Sequence, residues 1–412
     1  GDGVEAAVSA KGTREMALAG LRVLDLGTGL AGSFAATLLA DFGAEVIKVE
    51  EPGVGDTLRQ MPPFYQEASL WWSVEGRNKK SVTLDLRKER GKEAFQGLAA
   101  RSDVVIESFR PGTLERWQIG YEDLRKVNPG LILLQASGFG QGGPYRDRPS
   151  GEAVTSALTG LTFLTGFPDG PPTRPGYALS SYAGGIFGAM SILAALHERD
   201  QSGEGQSIDL ALYEPLCRLS DDKIPLYDKM GVLRERSGNK RGSLAPVGLF
   251  ETRDQRWVAI LALEEKDFER VARAMGREEL AQDPRFNSIV QRAENHQVLD
   301  EIVTDWARGC DLEEITEILA RHEVPMSPVF SIQDIFEDPH YRARGNILEV
   351  EDPHIGSVKM QDVVPKLSLT PGKVTSAGPR LGQHNAEVYG SLLGRSEEEL
   401  ERLKEEGVIC AP

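Results

Sequence analysis

Residues 21–49 read LRVLDLGTGLAGSFAATLLADFGAEVIKV, and few backbone arrangements satisfy that string. Residues 21–26 are a short apolar run of the kind that forms a strand buried on both faces. Gly27, Gly29 and Gly32 then mark a turn, an apolar helix is expected over 34–42, and residues 44–49 repeat the buried-strand pattern. Strand, glycine turn, helix and strand make a βαβ unit with parallel strands and a right-handed crossover.

The pattern recurs downstream. Strands are expected at 80–86, 103–107, 131–136 and 207–212, and helices at 89–100, 121–127 and 181–199. Together they describe an open, doubly wound, Rossmann-like α/β sheet. The helix at 181–199 carries Ala183, Gly184, Gly185, Gly188 and Ala189, small residues that permit close packing. Residues 1–18 are expected to be a flexible tail, 19–215 the large domain, and 216–245 a linker, where periodicity falls and charge rises. A small α/β domain is expected over 246–330, with a strand at 257–263 and helices near 267–275, 294–308 and 312–322. Residues 331–412 return to the large domain, with strands near 347–350 and 357–361 and a last helix near 396–405.

Charge narrows the partners. The 412 residues hold 63 acids against 47 Lys and Arg, a net charge of −16. Such a chain repels nucleic acid and anionic membranes overall, so a polyanionic ligand would need a local cluster of cations. Cys217, Cys310 and Cys410 are far apart without CxxC spacing, so neither disulfides nor zinc are expected, and a reducing cytoplasm is. The N-terminal residues lack the pattern of a signal peptide, and no apolar run is read as long enough to span a membrane. His296, His322, His340 and His354 lack metal-ligand spacing, so no metal site is expected.

The glycine turn leaves two readings open. A strand ending in Asp25-Leu-Gly-Thr-Gly, with Glu50 closing the next strand, is similar to an S-adenosylmethionine site of class I methyltransferases: glycines admit the ligand and the acid accepts ribose hydroxyls. The same glycines also suffice simply to turn a tight strand-to-helix corner.

Denser motifs point elsewhere. The opening segment continues as EEPGVGD; it is followed by RNKKSVTLDL, by VVIESFRPGTLERWQIGYEDLRKVNPGLILLQASGFGQGGPYRDRP, and by TGFPDGPPTRPG. AALHERDQSGEGQSIDLAL, APVGLFETRDQRWVAI, EVPMSPVFSIQDIFEDPHYRARG and GQHNAEVYGSLLG continue in order. Over about residues 20–400 the chain resembles the CoA-transferases of family III, the CaiB/BaiF family. The resemblance implies a Rossmann-like large domain built from both ends of the chain and a smaller domain inserted near 225–330. It also implies interlocked dimers, with the active site where chains and domains meet.

CoA carries several phosphate charges, which Arg grips bidentately and Lys meets as a point charge. The local cations are Lys48, then Arg77, Lys79 and Lys80 of RNKK, then Arg110 and Arg116 of FRPGTLER. The resemblance places Leu30 and Ala31 in a turn that contacts CoA, and Ser108, Phe109, Arg110 and Arg116 at its adenine and phosphate end. Each run also reads as ordinary solvated charge. Glu51 stands where some members have an arginine that holds the nucleotide.

Family chemistry needs a carboxylate. The resemblance implies an aspartate that attacks the acyl-CoA carbonyl and expels CoA thiolate, giving a mixed anhydride. The thiolate then attacks the enzyme's own carbonyl, releasing the first acid and leaving an enzyme thioester; the second acid reverses the sequence. Counting from PPTRPG, the residue at that aspartate's place is Ser181, and an upstream family acid falls on Glu152. Asp169 lies twelve residues earlier, in an expected turn. A serine ester has far less acyl-transfer potential than an anhydride, and His197 is roughly 24 Å along a straight helix. Ser181 or Ser180 also reads as a helix N-cap. Racemases of the same fold use a histidine and an aspartate, and those places hold Phe139 and Ser181.

The reading that follows is a subunit lacking the aspartate, paired with a homologous chain that keeps it. The resemblance extends to the heteromeric enzymes that move CoA from succinyl-CoA to aromatic succinates such as benzylsuccinate in anaerobic aromatic degradation. An Asp-to-Ser variant of a homodimeric, interlocked transferase and an acyl-CoA-binding protein without turnover remain open beside it, and a methyltransferase trails them.

Overall fold

The computed structural model describes residues 15–240 and 244–411, in two compact units. The tail expected over 1–18 lies mostly outside the described residues. Among the described residues, one unit comprises 15–159, 176–221 and 343–411; the other comprises 160–175, 222–240 and 244–342.

The first unit is organised by a six-stranded parallel sheet. Its strands are β1 (Arg22–Leu26), β2 (Glu45–Glu50), β3 (Lys79–Thr83), β4 (Val104–Glu107), β5 (Ile132–Ser137) and β6 (Ser207–Ala211), in the spatial order β3-β2-β1-β4-β5-β6. Alternate residues feed opposite faces, as the two-residue period of a strand requires. Leu24, Ile47, Val82, Val105 and Leu133 enter one core, while Val23, Val46, Val104, Ile132 and Leu134 enter the other.

Helices cover both faces. The second core is closed by α1 (Leu30–Asp41) and by the 24-residue helix Leu179–Ser202. That helix is long and apolar enough to cross a membrane by length and composition, which the sequence reading had not expected. More than half of its apolar window is buried, as befits a core helix. The approach to α1 is close because the contact residues are small: a Cβ on Gly185 would lie 2.7 Å from the Phe34 ring and 3.0 Å from the Ala31 carbonyl. The short helix α2 (Leu70–Glu75) packs against α1, and the other face of the sheet carries α3 (Glu89–Ala99) and later α4 (Asn385–Leu393) and α5 (Glu397–Glu405). An antiparallel hairpin, Ile347–Asp352 with Gly356–Gln361, belongs to the same unit.

Helix α1 starts at Leu30, four residues before the expected 34. Gly32 does not break it. Its missing Cβ is what allows contact with the turn, since a Cβ there would stand 3.2 Å from Gly27 Cα.

The outer edge of β3 is sealed by side chains rather than by another strand. Ser81 N–H donates to His384 Nδ1 at 3.0 Å and Thr83 N–H to Asn385 Oδ1 at 2.9 Å, while His384 N–H returns a bond to the Ser81 carbonyl at 2.9 Å. Asn385 Nδ2 also donates to the Cys410 carbonyl at 2.8 Å, and Cys410 N–H to Thr83 Oγ1 at 3.0 Å. Unpaired edge groups are thereby satisfied.

The second unit has a three-stranded antiparallel sheet, Val247–Glu251, Trp257–Leu261 and Met326–Pro328, with the Trp257 strand central. Helices Glu265–Ala274, His296–Ala307 and Leu312–Arg321 pack on it around Phe250, Phe268, Phe286 and Leu299. The stretch read as a linker overlaps the end of one short helix, Glu214–Arg218, and holds another, Lys223–Met230.

Candidate functional site

Strand order reverses between β1 and β4, and in open α/β sheets that switch point, beyond the carboxyl ends of the strands, is where ligands bind. Two segments meet there: the glycine turn 27–29 after β1 and the loop 108–112 after β4. Ser108 Oγ ties them, receiving Thr28 N–H at 2.7 Å and donating to the Thr28 carbonyl at 3.0 Å. Leu30 and Ala31 open α1 on one side of this tie, and Ser108, Phe109 and Arg110 follow β4 on the other.

In a dinucleotide fold such a turn hands its N–H groups to a phosphate. Here all three are used internally. Gly27 N–H donates to Asp25 Oδ1 at 2.9 Å, Thr28 N–H to Ser108, and Gly29 N–H to Asp56 Oδ1 at 3.2 Å. Two of those acceptors are carboxylates, which repel an anion. Gly29 itself has φ 78, a left-handed conformation that suits glycine.

Glu50, the acid the methyltransferase reading needs for ribose hydroxyls, is used as well. Arg59 binds it in a fork at 2.7 and 2.8 Å, Ser81 Oγ donates at 2.6 Å and Asp56 N–H at 2.9 Å. With turn and acid both committed, the S-adenosylmethionine reading has no ligand-binding groups left.

The same bonds correct the cation set. Lys48 is fully buried, with Nζ 2.6 Å from Asp56 and 3.3 Å from Asp25. Burial opposes its charge, but Asp25, Asp56 and Glu50 outweigh burial and hold its pKa above the ordinary range. Lys79 Nζ donates to Asp25 Oδ2 at 2.9 Å and to Ser33 Oγ at 2.8 Å. Arg77 forks onto Asp41 at 2.5 and 3.1 Å and donates to the Gln361 carbonyl at 2.6 Å. Lys48, Arg77 and Lys79 therefore hold the fold together and are not free to meet a phosphate. Glu51 is exposed and paired with Arg87 at 2.7 Å.

Arg110 and Arg116 are different. Both are exposed and, among the described residues, neither forms a salt bridge. The sequence reading missed a third: Arg146, whose guanidinium lies with that of Arg116 against Gly112, 3.4 and 3.6 Å from where a Cβ would sit. Its signal was the PYRDRP string, and only folding brings that string back to the loop after β4. Phe109 stacks edge-on against Trp117, centroids 5.4 Å apart, fixing the base of the loop.

At the start of the long helix Leu179–Ser202, hereafter the site helix, Ser181 is not the N-cap: it is the third helical residue, after Leu179 and Ser180. The cap comes from Glu152, the first residue of helix Glu152–Leu158. Glu152 Oε1 receives Ser180 N–H at 3.0 Å and Ser156 Oγ at 2.8 Å; Oε2 receives Ser181 N–H at 2.8 Å and Ser181 Oγ at 2.7 Å. Two orphan N–H groups are satisfied and a carboxylate sits at the positive end of the helix dipole. Ser181 is 9% exposed. Asp169 lies in an exposed turn of the second unit, and Phe139 packs edge-on against Tyr145. The described residues contain no cluster of His, Cys, Asp and Glu able to hold a metal.

Comparison with known proteins agrees with the motif order. The profile of CoA-transferase family III matches residues 18–385. The chain is 44% identical to a succinyl-CoA–D-citramalate CoA-transferase of Chloroflexus aurantiacus, over 94% of this chain and 97% of the relative. It is 42% and 43% identical to the alpha and beta subunits of a succinyl-CoA–L-malate CoA-transferase from the same organism, covering 97% and 96% of this chain and 94% and 99% of the subunits. A crystal structure of a CaiB/BaiF family protein from Brucella suis superposes with a TM-score of 0.82 at 30% identity, over 92% of this chain and 100% of that one. The chain belongs to CoA-transferase family III, a family of CoA-transferase enzymes whose substrates are acyl-CoA thioesters.

Proposed function

We propose that this chain is the aspartate-less subunit of a heteromeric family III transferase that moves CoA from succinyl-CoA to a second dicarboxylic acid, working in the cytoplasm as an interlocked pair with an aspartate-bearing homologue. The observation that carries the reading is Ser181. It stands at the place the family resemblance gives to the nucleophilic aspartate, and its hydroxyl is bonded to Glu152 at 2.7 Å. An alcohol there cannot form the anhydride, and no imidazole bonds it among the described residues. Two features support the rest. The relatives named above use succinyl-CoA with D-citramalate or L-malate, and the second of them has alpha and beta subunits. An aromatic succinate such as benzylsuccinate has the same two carboxylates on a larger body and is the acceptor we favour.

The phosphates of CoA are assigned to Arg110, Arg116 and Arg146, with the adenine beside Phe109 and the pantetheine passing Leu30 and Ala31 toward residue 181. In this reading the chain holds a CoA thioester, or shapes its partner's site, without turning it over.

Native mass spectrometry of this chain, alone and co-expressed with an aspartate-bearing homologue, tests the assignment when joined to CoA-exchange assays from succinyl-CoA to benzylsuccinate, L-malate and D-citramalate. The expected result is a one-to-one complex that alone exchanges CoA. Robust exchange by the purified single chain, with an acyl adduct on its own side chain, overturns it. A homodimer that becomes active on Ser181→Asp would instead identify a substituted homodimeric transferase.

A further inference from the structure

Glu75 closes α2 and is 3% exposed. Its Oε1 receives the Tyr182 hydroxyl at 3.3 Å, while Oε2 has no hydrogen-bond partner among the described residues. Its carbonyl is pinned to α1, accepting Thr37 Oγ1 at 2.7 Å and Ser33 Oγ at 3.4 Å. Tyr182 follows Ser181 in the first turn of the site helix, and its ring stands edge-on to Phe34 of α1, centroids 4.8 Å apart. A buried carboxyl, half of it unbonded, thus reaches from α2 across α1 to the neighbour of residue 181.

We propose that Glu75 is a positioning residue of the thioester site: through Tyr182 it sets the first turn of the site helix, and with it the placement of residue 181, in a proton-dependent way. The proposal rests on the reading of residue 181 as part of the CoA-thioester site.

The charged groups around Glu75 come from each element packed on it. Asp41 belongs to α1, Lys79 to β3, Arg77 to the turn before β3, and Tyr182 to the site helix. Lys79 spends its bonds on Asp25 and Ser33, and Arg77 on Asp41 and the Gln361 carbonyl. Burial therefore dominates and pushes the Glu75 pKa up to about 7, against the smaller pull of Lys79 and Arg77. Burial, with Glu75 beside it, drives the Tyr182 phenol above its usual range. Near neutral pH the pair changes from carboxylic acid and phenol to carboxylate and phenol. A new negative charge beneath the first turn disfavours a ligand that brings its own carboxylate and phosphates.

Incorporation of 3-fluorotyrosine, with Tyr182→Phe to assign the resonance, lets fluorine NMR follow Tyr182 from about pH 5.5 to about pH 8.5. The resonance is expected to shift with a midpoint near neutrality, and the shift to vanish in Glu75→Gln. Succinyl-CoA affinity, measured by calorimetry on the same proteins, is expected to weaken at least about fivefold across that range in the wild type and to stay level in Glu75→Gln. A Tyr182 resonance that does not titrate, or a pH step that persists in Glu75→Gln, overturns the proposal. Failure of succinyl-CoA to bind at any pH overturns the thioester-site reading and the proposal with it, an outcome distinct from a persisting step.

Discussion

Glu152 and Ser181 are joined twice, the carboxylate taking both the backbone N–H and the hydroxyl of the serine at 2.8 and 2.7 Å. The serine side chain is thereby a donor into an acid that caps its helix. Glu152→Ala strips the cap from two N–H groups and is expected to lower stability by about 1–3 kcal/mol, read as a drop in urea midpoint. Ser181→Ala removes one bond of four and is expected to cost about 1 kcal/mol. Activity of the complex with an aspartate-bearing partner is expected to survive Ser181→Ala.

Ser181→Asp has a different signature, because it sets a second carboxyl against Glu152. One of the two then holds its proton to a higher pH than in the unfolded chain. A raised folded-state pKa contributes stability at low pH that is lost as pH rises through the folded value. Urea midpoints of Ser181→Asp relative to wild type are therefore expected to fall from acid toward neutral pH.

Arg110, Arg116 and Arg146 carry charges unmatched by any salt bridge among the described residues. Each replacement by Ala is expected to weaken CoA binding about tenfold or more, as loss of a charge-assisted bond of about 1.5–3 kcal/mol predicts. Dephospho-CoA binding by the variants, measured by calorimetry beside CoA, separates the residue that holds the 3′-phosphate from those that hold the pyrophosphate.

Lys48→Met is expected to act on folding instead. It leaves the buried Asp56 without its cation and Asp25 with Lys79 alone, a loss of about 3–5 kcal/mol by analogy with other broken buried pairs. A chemical denaturation series checks it; unchanged stability with weakened CoA binding would return Lys48 to the ligand site.

His384 gives a pH dependence of opposite sign to that of Ser181→Asp. Burial, with the nearby Lys80 charge, holds its pKa below the ordinary 6.5, and its Nδ1 accepts Ser81 N–H only when unprotonated. A depressed folded value means stability present above 6.5 and lost as pH falls through the folded value. Between 6.5 and the folded value the wild type is expected to lose stability more steeply than His384→Gln as pH falls, by up to about 1.4 kcal/mol per pH unit. Melting temperatures of both proteins across that interval check this.

Much of the sheet was legible because its strands are buried on both faces and so spelled as unbroken apolar runs: 22–26, 45–50 and 132–137 lie within a residue or two of where the runs predict. The charges inside those runs were the less legible part. Lys48 and Lys79 read as cations awaiting phosphate, yet Asp25 lies directly across from Lys48 in the parallel register. A lysine embedded in a buried strand needs an acid nearby, and that rule alone would have paired them. Glu75 gave no local signal, since what distinguishes it is Tyr182, 107 residues away. Arg146 was likewise quoted only as part of a motif, because its closeness to Arg116 depends on the loop folding back to Gly112.

The clip of His384, Asn385 and Cys410 on β3 has a consequence for biosynthesis. While the ribosome is still making the second unit, the strands of the first are already translated but one flank of their sheet has bare amides at Ser81 and Thr83. Residues 384–410, translated after the second unit, supply the groups that cover it. A nascent or truncated chain ending before 384 would carry a sticky border able to recruit strands from its neighbours, so synthesis of residues 384–410 is the step that makes this sheet safe from aggregation.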